Sequence, residues 1–292
     1  MRMPYRTLFA PIALMALTGL AGCGWMGNSN TSPAIAPPPA RLALVIGNAD
    51  YESVPPLRNP GNDADDVCAA LRSMGYQTLC HHNLRDRAEF GARVGEYVAL
   101  LGPATVGVVY YSGHGVQAAG ANFLIPTQAQ VRSIADDPTR VLFGLQDLFE
   151  RLREKRARLQ VVVLDACRTD LFAARPVATR SLLVRSLEST ARASSGLLPI
   201  NDAPPATAVL FATGAGDAAY DGKGRNGPMT QVLLRHLRTR GQKLNDLLGE
   251  VTRGVQAETA GYGRPMTPFI YGSYDGTLCL GGCVVPFEDP PR

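Results

Sequence analysis

The sequence predicts an α/β fold in three layers, a mostly parallel sheet with helices on both faces. Three observations carry this. Apolar runs alternate with amphipathic stretches along the chain, the order of repeated strand–helix–strand units. The runs are continuously apolar instead of alternating, which is how strands buried on both faces read. Three of the runs end in small or chemically distinctive residues, as strands do where a parallel sheet presents its functional edge.

The elements follow in order. RLALVIGN (41–48) is a buried strand ending in Gly-Asn. Asp63 to Met74 is a helix with Ala64, Val67, Cys68 and Leu71 on one face and acids in its first turn. YQTLCHHNL (76–84) is the second strand, and Asp86 to Leu101 a helix that Asp86 is suited to cap. TVGVVYYSGHG (105–115) is a third strand running into a glycine turn. NFLIPTQA (122–129) is short, contains Pro126 and reads as an edge hairpin. Gly144 to Lys155 is a helix, and LQVVVLDAC (159–167) the fourth buried strand. Residues 169–205 carry four spaced arginines with Ser, Thr and Pro and no period, so they read as a long loop. TAVLFATGAG (207–216) is a fifth strand, Pro228 to Arg238 and Leu244 to Glu258 are helices, and TPFIYGSY (267–274) is a last strand. With no internal repeat and no second composition regime, residues 41–285 form one domain, followed by a short tail at 286–292.

Composition narrows the function class. The chain has 292 residues, 46% hydrophobic and 18% charged, which excludes a disordered chain, a collagen-like chain and a multi-pass membrane protein. The net charge is +4, aromatics make up 7%, and no Lys/Arg stripe interleaves with them, so nucleic acid is not an expected partner.

The first 22 residues read as a targeting segment. Met1 to Arg6 holds two arginines and no acid, and Thr7 to Leu20 is apolar or small. Fourteen helical residues reach about 21 Å, short of a hydrocarbon core of about 30 Å, the proportion of a signal peptide and not of a spanning helix. The segment ends Leu20-Ala21-Gly22-Cys23, which resembles the bacterial lipobox, and that resemblance implies acylation of Cys23. Residues 23–40 would then be a Pro-rich tether from the membrane. Gly24, where retention at the inner membrane would need Asp, favours the periplasmic side of the outer membrane; a form secreted to the periplasm is the alternative. That compartment is oxidising, so exposed cysteine pairs should close. Five of the six cysteines remain after Cys23, and an odd number leaves one free. Cys68 lies on the helix that leads back into the strand carrying Cys80, and Cys279 and Cys283 flank Leu-Gly-Gly; these two pairings leave Cys167 as the free thiol.

The chemistry sits at the strand ends. The third strand ends Ser112-Gly113-His114-Gly115 and the fourth Asp165-Ala166-Cys167-Arg168. If these strands are neighbours, His114 and Cys167 form a base–nucleophile pair, and the backbone N–H groups of Gly115 and Cys167 can hold an oxyanion.

VVYYSGHG and VVVLDACR resemble the His and Cys boxes of caspase-type cysteine peptidases, in particular the metacaspase-like bacterial branch. The strand ending in Ile46-Gly47-Asn48, Asn62-Asp63-Ala64, the two boxes and FATGAG (211–216) stand in the family's order over about residues 41–281, with the His box about 50 residues before the Cys box. The resemblance implies a six-stranded, mostly parallel sheet in a caspase-like three-layer sandwich. It also implies peptide-bond hydrolysis by His114 and Cys167. Animal caspases use two arginines and a Gln to bind a substrate Asp; here Asn59, Asp221 and Asp165 stand at those positions. The metacaspase branch has acids there, matching Asp63 and Asp165 with Ser112 nearby, which implies protein or peptide substrates cut after Arg or Lys. No loop carries the spaced oxygen ligands of an EF-hand, and no metal or other cofactor is expected. Residues 169–205 fall where caspase-type enzymes are cut into two portions, so Arg175, Arg180, Arg185 and Arg192 are candidate self-processing sites. An inactive caspase-like scaffold or binding module at the cell envelope is the alternative function, and a cysteine hydrolase acting on peptidoglycan or as a transpeptidase is a third.

Overall fold

A computed structural model describes residues 40–118, 120–130, 137–167, 197, 202–214 and 219–283. The proposed signal peptide, most of the tether with Cys23, almost all of the 169–205 loop and the tail lie outside the described residues.

Strands β1 (Arg41–Gly47), β2 (Gln77–His82), β3 (Val106–Ala118), β6 (Leu159–Cys167), β7 (Thr207–Phe211) and β8 (Phe269–Ser273) form the central sheet in the order β2-β1-β3-β6-β7-β8. All pairings along it are parallel except β7 with β8. A side flap adds β4 (Ala121–Leu124), antiparallel to β3, and β5 (Phe143–Gly144), antiparallel to β4. The helices are α1 (Pro60–Ser73), α2 (Arg87–Leu100), α3 (Pro138–Val141), α4 (Leu145–Lys155), α5 (Pro228–His236) and α6 (Leu244–Glu258). Among the described residues no helix is long and apolar enough to cross a membrane.

The continuous apolar runs have a direct cause, because successive residues of a strand point to opposite faces and here both faces are covered. Val108 and Tyr110 of β3 and Val161 and Val163 of β6 pack with α1, α5 and α6 in one core. Val109 and Tyr111 of β3 and Val162 and Leu164 of β6 pack with α2 and α4 in the other. The sheet is therefore the middle layer of three, as the sequence predicts.

The structure differs from the expected boundaries in four places. Helix α1 starts at Pro60, three residues before Asp63, because Pro is suited to a first turn that needs no N–H from it. Strand β3 does not turn at its glycines. It stays extended to Ala118, where Gly115 pairs with Leu124 across to β4. Strand β7 stops at Phe211, before FATGAG is complete. The short elements α3 and β5 have four and two residues, too few to leave a period in the sequence. Asp86 caps α2 as expected, its Oδ1 accepting from the Glu89 N–H at 2.8 Å.

The structure joins Cys68 of α1 to Cys80 of β2, with Cα atoms 6.4 Å apart, and Cys279 to Cys283 at 5.0 Å, both within disulfide reach. The first bond ties α1 to the edge strand of the sheet. At its other end α1 presses on β1: a Cβ on Gly47 would lie 2.2 Å from the Pro60 carbonyl oxygen and 2.8 Å from Ala64 Cβ. Only glycine lets the first turn of α1 come this close. Gly47→Ala should therefore cost about 1–3 kcal/mol, the range for overpacking a close contact. Chemical denaturation checks it, and an unchanged midpoint would contradict the packing argument.

Candidate active site

The β3–β6 ladder brings the two boxes together. It pairs Ser112 with Asp165 and, two residues further along each strand, His114 with Cys167. Neighbouring strands lie about 4.8 Å apart, so the backbones of His114 and Cys167 are adjacent at the last rung of the β3–β6 ladder. The same site was expected from the sequence on the condition that these strands are neighbours, and the pairing meets that condition.

His114 is fully buried and fixed on several sides. Its Nε2 lies 2.8 Å from the Pro55 carbonyl oxygen. A carbonyl only accepts, so the neutral ring carries its proton on Nε2 and keeps its basic lone pair on Nδ1. Its backbone N–H donates to Tyr51 Oη at 2.7 Å, and its carbonyl accepts from Tyr111 Oη at 2.7 Å. The next residue, Gly115, opposes Leu124 while the Ile125 N–H donates to the His114 carbonyl at 3.1 Å. That makes Gly115 a non-hydrogen-bonded position of the β3–β4 pair, with its N–H turned away from β4.

One step back along the strands is a buried acidic cluster. Asp63 of α1 and Asp165 of β6 are 1% and 3% exposed. Asp63 accepts from Ser112 Oγ at 3.0 Å and from the Gly227 N–H at 3.0 Å. Asp165 accepts from Thr230 Oγ1 at 2.7 Å, and Thr230 in turn pairs with Tyr110 Oη. The two carboxylates converge on Gly227: a Cβ there would lie 3.3 Å from Oδ2 of each. All these donors are neutral. Burial, and then the charge of Asp165, push the Asp63 carboxyl well above the ordinary 3.8. Burial also raises Asp165, with the Asp221 charge adding to it and the Thr230 hydrogen bonds opposing it. Two buried carboxylates with only neutral partners call for a proton or for a cation from outside.

Asp221 stands beside this cluster. Its carboxylate accepts from the Arg58 N–H at 2.7 Å and the Asn59 N–H at 3.2 Å, so it fastens the segment before α1 while its charge reaches Asp165. Arg225 grips Asp66 of α1 through both nitrogens, Nε to Oδ2 and Nη2 to Oδ1 each at 2.9 Å, and pins the 221–227 segment over the start of that helix. Among the described residues no group of three or more His, Cys, Asp or Glu is placed to hold a metal ion.

The structure thus brings together Asp63, Ser112 and Asp165 in one buried cluster, with Asp221 beside it and the His114–Cys167 rung two residues further along the strands. Sequence reasoning missed Tyr51, Pro55, Tyr110, Gly227 and Thr230. Gly227-Pro228 does mark a helix start, but which strand ends that helix faces depends on how the sheet is wound.

The family model described as Caspase domain matches residues 40–272. Human mucosa-associated lymphoid tissue lymphoma translocation protein 1 is 31% identical over 130 residues, 44% of this chain and 15% of that protein. Its mouse homologue is 29% identical over 128 residues, again 44% of this chain and 15% of the relative. The chain therefore matches only a small part of the length of these two relatives. Among solved structures, caspase-1 from Spodoptera frugiperda aligns with a TM-score of 0.58 at 14% identity, covering 83% of this chain and 92% of the other, a likeness of fold.

The acidic pair sets a pH dependence. Both carboxyls have folded values raised above 3.8, so between that pH and the folded values the native state holds protons that the unfolded chain has released. Their stabilising contribution is complete below the unfolded value and is lost as pH rises through the folded ones. Asp63→Asn removes one titration, so the stability of this variant relative to wild type should rise with pH from about 4 upward. Denaturation curves across pH check this, and a pH-independent difference would show that the pair does not titrate as argued.

Proposed function

The chain belongs to the caspase-domain peptidase family, and we propose that it is a cysteine endopeptidase of metacaspase type that cuts after arginine or lysine. The observation that carries the specificity is the buried Asp63–Asp165 pair, which has neutral donors only and lies beside the His114–Cys167 rung. A guanidinium or ammonium entering that pocket supplies the missing positive charge through charge-assisted hydrogen bonds to both carboxylates, with Ser112 holding Asp63 in place. Asp221 adds to the potential from the rim. A substrate aspartate would meet like charge in a desolvated site.

The proposed chemistry follows from the same residues. His114 takes the thiol proton of Cys167 on Nδ1, the nitrogen left basic by the Pro55 contact. The thiolate attacks the scissile carbonyl carbon, and the oxyanion is held by the N–H groups of Gly115 and Cys167. The imidazolium then gives its proton to the departing amine. Water, deprotonated in turn by His114, hydrolyses the thioester and regenerates the thiol. No metal or cofactor enters this sequence. The proposed setting is the cell envelope, with the chain anchored by lipid on Cys23 and facing the periplasm, and the proposed self-processing sites are Arg175, Arg180, Arg185 and Arg192.

A peptide library varied at the residue before the cut tests the activity and its specificity. Wild type should select Arg and Lys, and His114→Ala or Cys167→Ala should lower turnover by several orders of magnitude with the fold intact. Asp165→Asn should cost Arg substrates about 1.5–3 kcal/mol in kcat/KM, the range for a hydrogen bond to a charged group. A preference for Asp, or wild-type rates in Cys167→Ala, would refute the proposal.

Intact-mass analysis of membrane-extracted protein tests the processing and the anchor. The expected result is acylated Cys23 in both forms, with cuts after arginines between 175 and 192 in wild type and none in Cys167→Ala. Equal cutting in both forms would assign the cleavage to another protease, and an unmodified N-terminus would remove the lipid.

A further inference from the structure

We infer that Tyr51 is a positioning residue for the base His114, which rests on the peptidase reading above for its consequence in turnover but not for its structural content. Tyr51 lies in the segment between β1 and α1 and is 7% exposed. It meets His114 in two ways at once. Its Oη accepts the His114 backbone N–H at 2.7 Å, and its ring packs against the imidazole with centroids 4.5 Å apart and planes tilted by 50°.

The hydroxyl belongs to a closed circuit. Tyr111 Oη donates to the His114 carbonyl at 2.7 Å, and Tyr51 Oη lies 3.3 Å from Tyr111 Oη. Either hydroxyl of the Tyr51–Tyr111 pair can be the donor, and Tyr111 Oη also lies 3.4 Å from the Ile125 carbonyl oxygen. The circuit runs from the His114 N–H through both tyrosines and back to the His114 C=O, each bond polarising the next. It grips the peptide of one residue from both ends. Gly113 makes the approach possible, since a Cβ there would lie 2.6 Å from Tyr111 Oη and 2.7 Å from Tyr51 Oη. Its φ of 156° is also one that few other residues adopt.

The segment that carries Tyr51 is itself fixed at several points. Asn83 Oδ1 accepts from the N–H groups of Ala49 and Asp50 at 2.9 and 3.1 Å, the Glu52 N–H donates to the Thr127 carbonyl at 2.9 Å, and Asp221 holds Arg58 and Asn59. The same segment supplies Pro55, whose carbonyl selects the tautomer of His114. Tyr51 thus supports the ring from its face and holds its backbone, while Pro55 holds its edge. Losing the face contact lets the imidazole rotate away from Pro55, which mixes the two neutral tautomers and puts a proton on the nitrogen that must act as base.

Histidine-selective nitrogen NMR of the full chain reads the tautomer directly, because the chain has only 4 histidines and His114→Ala identifies the signal. At a pH where the ring is neutral, wild type should show His114 protonated on Nε2 alone. Tyr51→Leu, which removes ring and hydroxyl, should show both tautomers and lower kcat by about tenfold or more at unchanged KM, the scale of a displaced catalytic group. Tyr51→Phe keeps the ring and should recover the single tautomer and part of the lost kcat. If Tyr51→Leu does not fold, Tyr51→Phe decides alone: it must lose the backbone N–H bond and show kcat reduced about threefold or more with KM unchanged. A wild-type tautomer and kcat in folded Tyr51→Leu, or an effect confined to KM, overturns the proposal. A wild type that cleaves no peptide while Tyr51→Leu still mixes tautomers would refute the peptidase reading and leave the positioning role standing.

Discussion

The register of β3 against β6 is the constraint on which the site depends. Side chains alternate along a strand, so a slip of one residue would send every inward group to the opposite face and misplace every paired residue. In the observed register Ser112 stands opposite Asp165 and His114 opposite Cys167, and both rungs are at the carboxyl end of the β3–β6 ladder. The two cores hold this register from both sides. Tyr110 reaches toward α5 through Thr230, while Tyr111 turns to the other face and takes the His114 carbonyl. The sheet thus uses adjacent tyrosines on opposite faces to fix the Asp165 side and His114 separately.

On the proposed reading, the acid pair is a compromise between stability and recognition. Asp63 and Asp165 would be stabilised by a resident lysine or arginine, but a salt bridge made within the fold would leave no charge for a substrate. The chain instead satisfies them with hydroxyl and amide donors, so that burial raises both carboxyls and the folded state carries the tension. Stored electrostatic strain of this kind is common where binding is the purpose. Arg225, two residues before Gly227, is spent on Asp66, where it clamps the 221–227 segment and leaves Asp63 to the Gly227 amide.

Much of this was legible in the chain. Strands buried on both faces give continuous apolar runs, and those of β1, β3, β6 and β7 yielded the centre of the sheet, while the half-exposed edge strands β2 and β8 came from shorter mixed stretches. The ends of the third and fourth runs pointed to His114 and Cys167 because parallel sheets collect their chemistry there, whereas Asp63, Asp165 and Ser112 entered as pocket residues through the resemblance to the metacaspase-like branch. Asp63 was legible as an acid in a first helical turn, although its carboxylate serves a strand and a distant glycine and not its own helix. What could not be read has a common cause. Tyr51 and Pro55 sit in an aperiodic segment, and their value lies in contacts with a strand more than fifty residues on. Thr230 and Gly227 act across the sheet from a helix whose placement depends on the winding. The extended course of β3 through Gly113 was hidden because a glycine pair reads as a turn, whereas pairing with β6 and then with β4 carries the strand straight through it.

The central claim is that one pocket joins a cation-seeking carboxylate pair to a reactive thiol on the neighbouring rung. A crystal structure of the protein treated with a short peptide bearing arginine before a thiol-reactive warhead tests it most directly. The account predicts a covalent bond to Cys167 and the guanidinium between Asp63 and Asp165 next to Gly227. An adduct on any other residue, or a guanidinium seated away from that pair, would contradict it.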